Sequence, residues 1–250
     1  MTETQETPAA AVVVDSGSFL GNLFNLYFEP SATFAKIFTK PRIVAIVLFQ
    51  IALGVLFSTI WFQKLDAKEF MRQQMELNPR IQQMPTEQVE KIIETQASFM
   101  KTWGRIGPLI APLVLDGLLA GLLMFMFRFF MAAEVSFLAS LATVAWTFAT
   151  VGLVQTPIML AVMALKGDWN LSPDQVVQAN PTVFFEASAL PRWLWSLLGS
   201  FDLFSLWTLF LLAAGLSVAS KRGLSTGLWG VGICWVVYVS VKTGFLLIFS

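Results

Sequence analysis

The sequence predicts an all-α protein: a polytopic transmembrane bundle of five helices with amphipathic helices outside the membrane. Only 13% of its 250 residues are charged and 56% are hydrophobic, whereas soluble domains carry about 25% charged residues. The apolar residues also collect in stretches of about twenty, the length at which a helix crosses about 30 Å of hydrocarbon. The expected spans lie near 43–62, 106–127, 137–165, 195–219 and 227–249.

The composition excludes several classes of function. The chain has no histidine, and Cys234 is its single cysteine, so neither a thiolate cluster for a metal nor an internal disulfide is available. Basic and acidic residues are equal in number, at 16 each, which gives no overall positive field for nucleic acid. We therefore expect no catalytic residue, no metal site and no cofactor, and a protein that is not an enzyme.

The domain organisation is a short tail followed by one membrane domain. Residues 1–18 contain three acidic residues and no basic one, so they do not resemble a signal peptide and are expected to be a disordered tail. The membrane domain then covers 19–250. Its first part, 19–38, is amphipathic and is divided by Pro30. We expect two short helices at the membrane interface, or alternatively packed on the bundle.

A polar loop at 63–105 separates the first two expected spans. From Lys64 to Arg105 it contains seven basic and six acidic residues. Apolar residues at helical spacing predict a pair of amphipathic helices outside the bilayer, the second with Thr86 as its N-cap. A solvated cap over the bundle is the favoured interpretation, and an arm that docks a partner is the alternative.

The orientation follows from basic residues outside the spans. With the N-terminus inside, six basic residues lie inside and nine outside, which by itself opposes that orientation. Without the long polar loop the count becomes six to two, and the compact pair Lys221 and Arg222 lies inside. We therefore predict a cytoplasmic N-terminus and a C-terminus on the opposite side.

Three ionisable residues fall inside expected spans: Asp116, Asp202 and Lys242. A charge in hydrocarbon costs about 2.5–3.5 kcal/mol even on lenient scales, so each needs a partner. At ~1.5 Å per residue the three lie at a similar depth, and we predict that Lys242 pairs with one or both carboxylates. The alternative is that the long Lys242 side chain reaches the outer interface and pairs with neither. Such a cluster either fastens the bundle or marks a proton or solute path. The Gly-x-Gly-Asp pattern of aspartic intramembrane proteases is absent at both aspartates.

Small residues four apart predict close contacts between helices. Gly117 and Gly121 have this spacing in the second span, and Gly54 and Ser58 have it in the first. Patterns of this kind let two backbones approach and indicate no activity.

Four stretches carry a resemblance to a known family. They are FEP, Phe34 and KP within 28–41, VSFLASLA at 135–142, DLFSLW at 202–207 with AGL at 214–216, and a last span after a short turn. In order and spacing they resemble the Yip family of integral membrane proteins, named for interaction with Ypt/Rab GTPases. The residues that carry the resemblance most directly are Pro30, Pro41, Asp202, Phe204, Trp207 and Gly215.

The resemblance implies five transmembrane helices with a cytoplasmic N-terminus. Eukaryotic members act in vesicle trafficking and bind Rab GTPases or their own relatives. This chain lacks their Asp-Leu-Tyr-Gly-Pro-like element before the first span, which argues against a Rab partner. It is more similar to prokaryotic members, and this implies a bacterial inner membrane.

Two functions remain open from the sequence. The favoured one is a non-enzymatic scaffold or adaptor with a membrane-organisation or trafficking-like role, whose partners are the lipid bilayer, other membrane proteins or a second copy. The alternative is a small transporter, channel or lipid-moving protein that uses Asp116, Asp202 and Lys242. A closed, dry bundle favours the scaffold, and a cavity that reaches these residues favours the alternative.

Overall fold

The computed structural model describes residues 17–76, 81, 84–177, 179–185 and 190–249. Within these ranges all regular secondary structure is helical, which confirms the all-α fold class. The helices are α1 Phe19–Asn25, α2 Pro30–Thr39, α3 Ile43–Lys64, α4 Ala67–Glu76, α5 Thr86–Phe129, α6 Phe137–Lys166, α7 Pro173–Val176, α8 Arg192–Gly199, α9 Leu203–Ala219 and α10 Leu224–Phe249, with a 3-10 turn at Pro181–Phe184.

Four of these helices, α3, α5, α6 and α10, are long and apolar enough to cross a membrane. A fifth crossing exists if α8 and α9 are counted as one span, because the two helices meet at a bend of 52°. The multi-span bundle is therefore as predicted, with one difference. The expected continuous span at 195–219 is broken at 200–202, where Asp202 begins a new helix.

The core of the bundle lies around α6. Trp146 in α6 is completely buried, and its indole N–H donates to the carbonyl of Pro41 at 2.8 Å. A buried indole N–H usually has such a partner. This contact ties the chain just before α3 to the central helix, and α3, α5 and α9 then pack on α6.

The helices α1 and α2 have one face on the bundle and one face directed away from it. Leu23 and Phe34 are completely buried in the same cluster as Trp146, whereas Phe24 and Phe28 are exposed by 56% and 83%. Pro30 begins α2, as the sequence indicates. The segment thus packs on the bundle, and its location at the membrane interface stays a prediction. The expected tail lies outside the described residues except for Gly17 and Ser18, and the Ser18 hydroxyl accepts from Gly21 N–H to cap α1.

The expected polar loop at 63–105 is mostly helical where the structure describes it. The short helix α4 follows α3 closely, and the second amphipathic helix is continuous with the second span, giving the single 44-residue helix α5. Its N-cap is Pro85, one residue before the expected Thr86. We call α4 together with the first turns of α5, residues 86–104, the arm.

Ion pairs hold the two helices of the arm together. Lys68 in α4 pairs with Glu94 in α5 at 2.7 Å, and Arg72 pairs with Glu90 at 3.0 Å. The Lys68 ammonium lowers the pKa of the Glu94 carboxyl, and Glu94 in turn raises the pKa of Lys68. All four side chains are exposed to a large degree, so salt screens these pairs.

These pKa shifts predict that the arm loosens in acid. A carboxyl whose pKa is lower in the folded state stabilises that state above its unfolded pKa of about 4.3, and the stabilisation is lost as the pH falls through the folded pKa. We expect the hydrogen-exchange protection factors of α4 amides to fall below about pH 4, while those of α6 stay constant. Lys68→Met should weaken this dependence on pH, and a flat profile for α4 in the unmodified protein would contradict the prediction.

The close helix contacts are partly where the sequence predicts them. A methyl group on Gly54 would lie 3.2 Å from the Cβ of Pro108, so α3 and α5 approach closely there. Gly117 and Gly121 have no such neighbour within 4 Å, so the close approach expected at this pair is wrong. A close approach of two backbones lies instead at Gly227 in α10, against the carbonyl of Ala213 in α9.

Candidate functional site

Asp202 stands at the break between α8 and α9, where it is the N-cap of α9. Its Oδ1 accepts from the backbone N–H groups of Phe204 at 2.9 Å and Ser205 at 3.1 Å, and the Ser205 hydroxyl donates to Oδ2. The first N–H groups of a helix have no partner inside the helix, and an aspartate at the N-cap satisfies them. The carboxylate within this apolar stretch thus accepts hydrogen bonds from the otherwise unsatisfied N–H groups at the start of α9.

The break is stabilised by one hydrogen bond to the segment before α8 and by one at the end of α8. The backbone N–H of Leu203 donates to the carbonyl of Ala179 at 3.1 Å, and the Ser200 hydroxyl donates to the Ser196 carbonyl at 2.8 Å. The polar segment after α6 therefore contacts the start of α9 directly. This contact fixes the position of the Asp202 side chain relative to α8 and the chain before it.

Lys242 lies on α10 beside the same break, but it makes no ion pair with any described residue. Its ammonium donates to the Ser200 hydroxyl at 3.3 Å. Among the described residues, no ion pair within 4.0 Å involves Lys242, Asp202 or Asp116. The expected pairing of Lys242 with a carboxylate is therefore wrong in this structure. Its physical reason is that Asp202 finds its partners at the helix N-terminus, and Lys242 is exposed near the end of α10.

Asp202 and Lys242 nevertheless line one cavity, which we call the polar cavity. It has a volume of about 480 Å³ and lies between α6, α8, α9 and α10. Gln155 of α6 contributes an amide, and Ser196 contributes a buried hydroxyl that has no hydrogen-bond partner within the described ranges. The wall also includes the aromatic side chains of Trp195, Trp235 and Tyr238.

A second, mostly apolar cavity of about 740 Å³ adjoins the first, and we call it the apolar cavity. The two share Gln155, Asp202, Phe204, Ser205, Trp235 and Tyr238. The rest of the second wall comes largely from leucines of α5 and α9. Leu118 and Leu122 line this cavity and are also exposed by 66% and 53%, so it opens to the side of the bundle.

Asp116 is not part of this site. It is 1% exposed, and its Oδ2 accepts from the side-chain amide of Gln50 at 2.8 Å. The same amide nitrogen donates to the carbonyl of Ala145 at 2.9 Å, so one Gln50 side chain joins α3, α5 and α6. The three-residue cluster expected from the spacing is thus two separate features. The three side chains have a similar predicted depth in the membrane, which is why contact between them is expected. The helices, however, place Asp116 on the α3 side of α5.

The sequence contains a residue type that indicates the partner of Asp116, although residue spacing alone does not identify it. Gln50 is the only amide side chain in the span 43–62, and a buried amide needs partners as a charge does. Gln155 in the third span gives the same kind of signal for the polar cavity. The sequence gives no such indication for Trp235 and Tyr238, because nothing in it separates them from ordinary lipid-facing side chains.

The residues quoted for the family resemblance occupy defined structural positions. Gly215 faces Thr143 and Phe34 so closely that a methyl group there would overlap both, and the Pro41 carbonyl accepts from Trp146. The Trp207 ring packs at a tilt against the Phe210 ring, with ring centroids 5.4 Å apart. These positions give the residues roles in packing, which are compatible with any function of the fold.

The described residues contain no group of three or more acidic, histidine or cysteine side chains placed to hold a metal ion. Comparison with known proteins finds no match to this chain among family models, curated proteins or solved structures. The site is therefore interpreted from its own geometry.

Proposed function

We propose that this protein is a non-enzymatic, multi-span membrane protein that binds a membrane lipid in the joined polar and apolar cavities. The observation that carries the proposal is the shared wall between a cavity lined by charged side chains and a cavity lined by leucines. This is the second of the two functions left open by the sequence, in its lipid-binding form.

The shape and chemistry of the two cavities support a lipid rather than a small soluble solute. The apolar cavity opens sideways through Leu118 and Leu122, toward the region that lipid tails occupy around a membrane bundle. Its wall offers few polar atoms, which suits an acyl chain and would leave a hydrated ion without ligands. The polar cavity begins where Asp202 and Lys242 lie, and it supplies the hydrogen-bonding groups that a headgroup requires.

Location and orientation belong to the same proposal. The resemblance to prokaryotic Yip-type proteins supports a bacterial inner membrane, and the basic turn at Lys221 and Arg222 supports a cytoplasmic N-terminus. In this orientation the polar cavity lies toward the outer leaflet, because Lys242 is near the C-terminal end of α10.

The test is retention of phospholipid during purification. We expect native mass spectrometry to detect bound phospholipid on the unmodified protein after extraction in mild detergent. Leu209→Trp should reduce this bound fraction several-fold, because Leu209 lines the apolar cavity and a larger side chain would occupy it.

The matched control is Leu206→Trp, which makes the same change on the same helix at a side chain that is 46% exposed and does not line either cavity. This control should retain lipid like the unmodified protein. Absence of bound phospholipid from the unmodified protein, or equal loss in both variants, would contradict the proposal.

A scaffold or adaptor role is the second candidate, and the arm is the observation that favours it. Its ion-paired helices present exposed charged side chains, and Phe99 on the same helix is 66% exposed. A surface of this mixed character suits another membrane protein or a second copy. Cross-linking at exposed Lys91, followed by mass spectrometry of the products in native membranes, tests this role. Products that contain only residues within one chain would contradict it.

A further inference from the structure

Two opposite charges face the same polar cavity without pairing with each other. The Lys242 ammonium has its hydrogen bond to a neutral hydroxyl, that of Ser200. The Asp202 oxygens accept hydrogen bonds from the Ser205 hydroxyl and from the backbone N–H groups of Phe204 and Ser205. No ion pair within 4.0 Å joins the two among the described residues, although both line the cavity. The cavity therefore has separate anionic and cationic points on its wall.

From this arrangement we propose that the lipid headgroup recognised by the polar cavity is zwitterionic, with its phosphate on Lys242 and its ammonium on Asp202. This inference rests on the proposed lipid binding and adds the class of lipid. An anionic headgroup would satisfy Lys242 and place a negative charge near the Asp202 carboxylate. A zwitterionic phospholipid instead satisfies both, because its phosphate and its ammonium are separated by a short linker.

The surroundings of each charge agree with this assignment. Lys242 lies near the end of α10, where its long side chain can direct the ammonium toward the lipid phosphate level. Asp202 is held by its cap contacts, so its carboxylate is a fixed acceptor. Trp195, Trp235 and Tyr238 line the same cavity, and aromatic faces attract ammonium groups. The buried Ser196 hydroxyl gives the headgroup a further hydrogen-bonding group.

The experiment is a lipid competition on the intact protein in nanodiscs. The nanodiscs contain equal parts of phosphatidylethanolamine, phosphatidylcholine and phosphatidylglycerol, and native mass spectrometry identifies the lipids that remain bound after ejection from the disc. We expect zwitterionic lipid to exceed phosphatidylglycerol by about tenfold, the ratio that one charge-assisted contact supplies. The ratio of the ethanolamine to the choline lipid then separates hydrogen bonding to Asp202 from attraction to the aromatic rings.

Two variants test the charges separately. Asp202→Asn removes the negative charge and retains a good N-cap, since asparagine and aspartate cap helices about equally well. It should shift the bound lipid toward phosphatidylglycerol. Lys242→Met should lower the binding of all three lipids, because each has a phosphate. Lys166→Met, an exposed lysine at the end of α6 outside the cavity, is the control and should leave the distribution unchanged.

The outcomes distinguish the two proposals. Absence of every lipid would refute lipid binding itself. Binding without preference between zwitterionic and anionic lipid, or a preference for phosphatidylglycerol in the unmodified protein, would refute the headgroup assignment and leave lipid binding in place. An Asp202→Asn variant that folds, as judged by gel filtration and helicity, and keeps the original selectivity would also refute the assignment.

Discussion

Gly227→Ala is expected to disrupt the packing of α10 on α9. A methyl group at position 227 would overlap the carbonyl group of Ala213 and the hydroxyl of Ser217, which is itself hydrogen-bonded to that carbonyl at 2.6 Å. Since the overlap is with backbone, no rotamer change relieves it, and the two helices must move apart. We expect a loss of about 1–3 kcal/mol in the free energy of unfolding, measured by denaturant titration in detergent micelles.

The chain provides a control for this change on the same helix. Gly232 has no atom within 4 Å of the position that a methyl group would occupy. Gly232→Ala should therefore be neutral or stabilise the protein by up to about 1 kcal/mol, since alanine favours helix over glycine. If both variants lose the same stability, helix contact at Gly227 is not the reason, and the tight approach of α9 and α10 is wrong.

Gln50→Leu should destabilise the bundle where three helices meet. Leucine has nearly the same size as glutamine but cannot donate to Asp116 or to the Ala145 carbonyl. Asp116 would then lie buried in the membrane-spanning region without this donor. Hydrogen bonds to charged groups contribute about 1.5–3 kcal/mol, and we expect a loss in this range, measured by thermal unfolding in bicelles together with the yield of folded protein.

Gln63→Leu is the matched control, because Gln63 lies in the same helix and is exposed near its end. It should change stability little. The double variant Gln50→Leu with Asp116→Leu should recover part of the loss, because replacing both partners by apolar side chains leaves no buried polar group unsatisfied. A double variant that is less stable than Gln50→Leu alone would mean that Asp116 has a role in stability independent of Gln50.

The sequence predicts the spans well because the length of an apolar stretch is a physical requirement of the bilayer. The same requirement explains why the sequence predicts one continuous span at 195–219. The two helices together are apolar enough to cross a membrane, so the average hydropathy does not reveal the break between them. The information about the break lies in Asp202, which prefers an N-cap to a helix interior. As a buried charge Asp202 predicts a lysine partner, whereas its partners are the backbone N–H groups two and three residues ahead.

The candidate site could be predicted only in part, because depth along a helix does not fix the direction in which a side chain points. The sequence predicts Asp116, Asp202 and Lys242 at one level, but α5 directs Asp116 toward Gln50 of α3, and Asp116 lines neither the polar nor the apolar cavity. The spacing of small residues does not predict the close contact at Gly227, for a similar reason. Spacing of small residues marks positions where helices can approach, and the neighbouring helix determines which of them it uses.

The unbroken course of α5 has a mechanical consequence. At ~1.5 Å per residue its 44 residues extend about 66 Å, more than the 40–45 Å of a whole bilayer with its headgroups. The arm and Leu115, which lines the apolar cavity, therefore belong to one helix. Pro108 and Pro112 interrupt the hydrogen-bond ladder of this helix, so it would flex there, about two to four turns before Leu118 and Leu122 at the lateral opening.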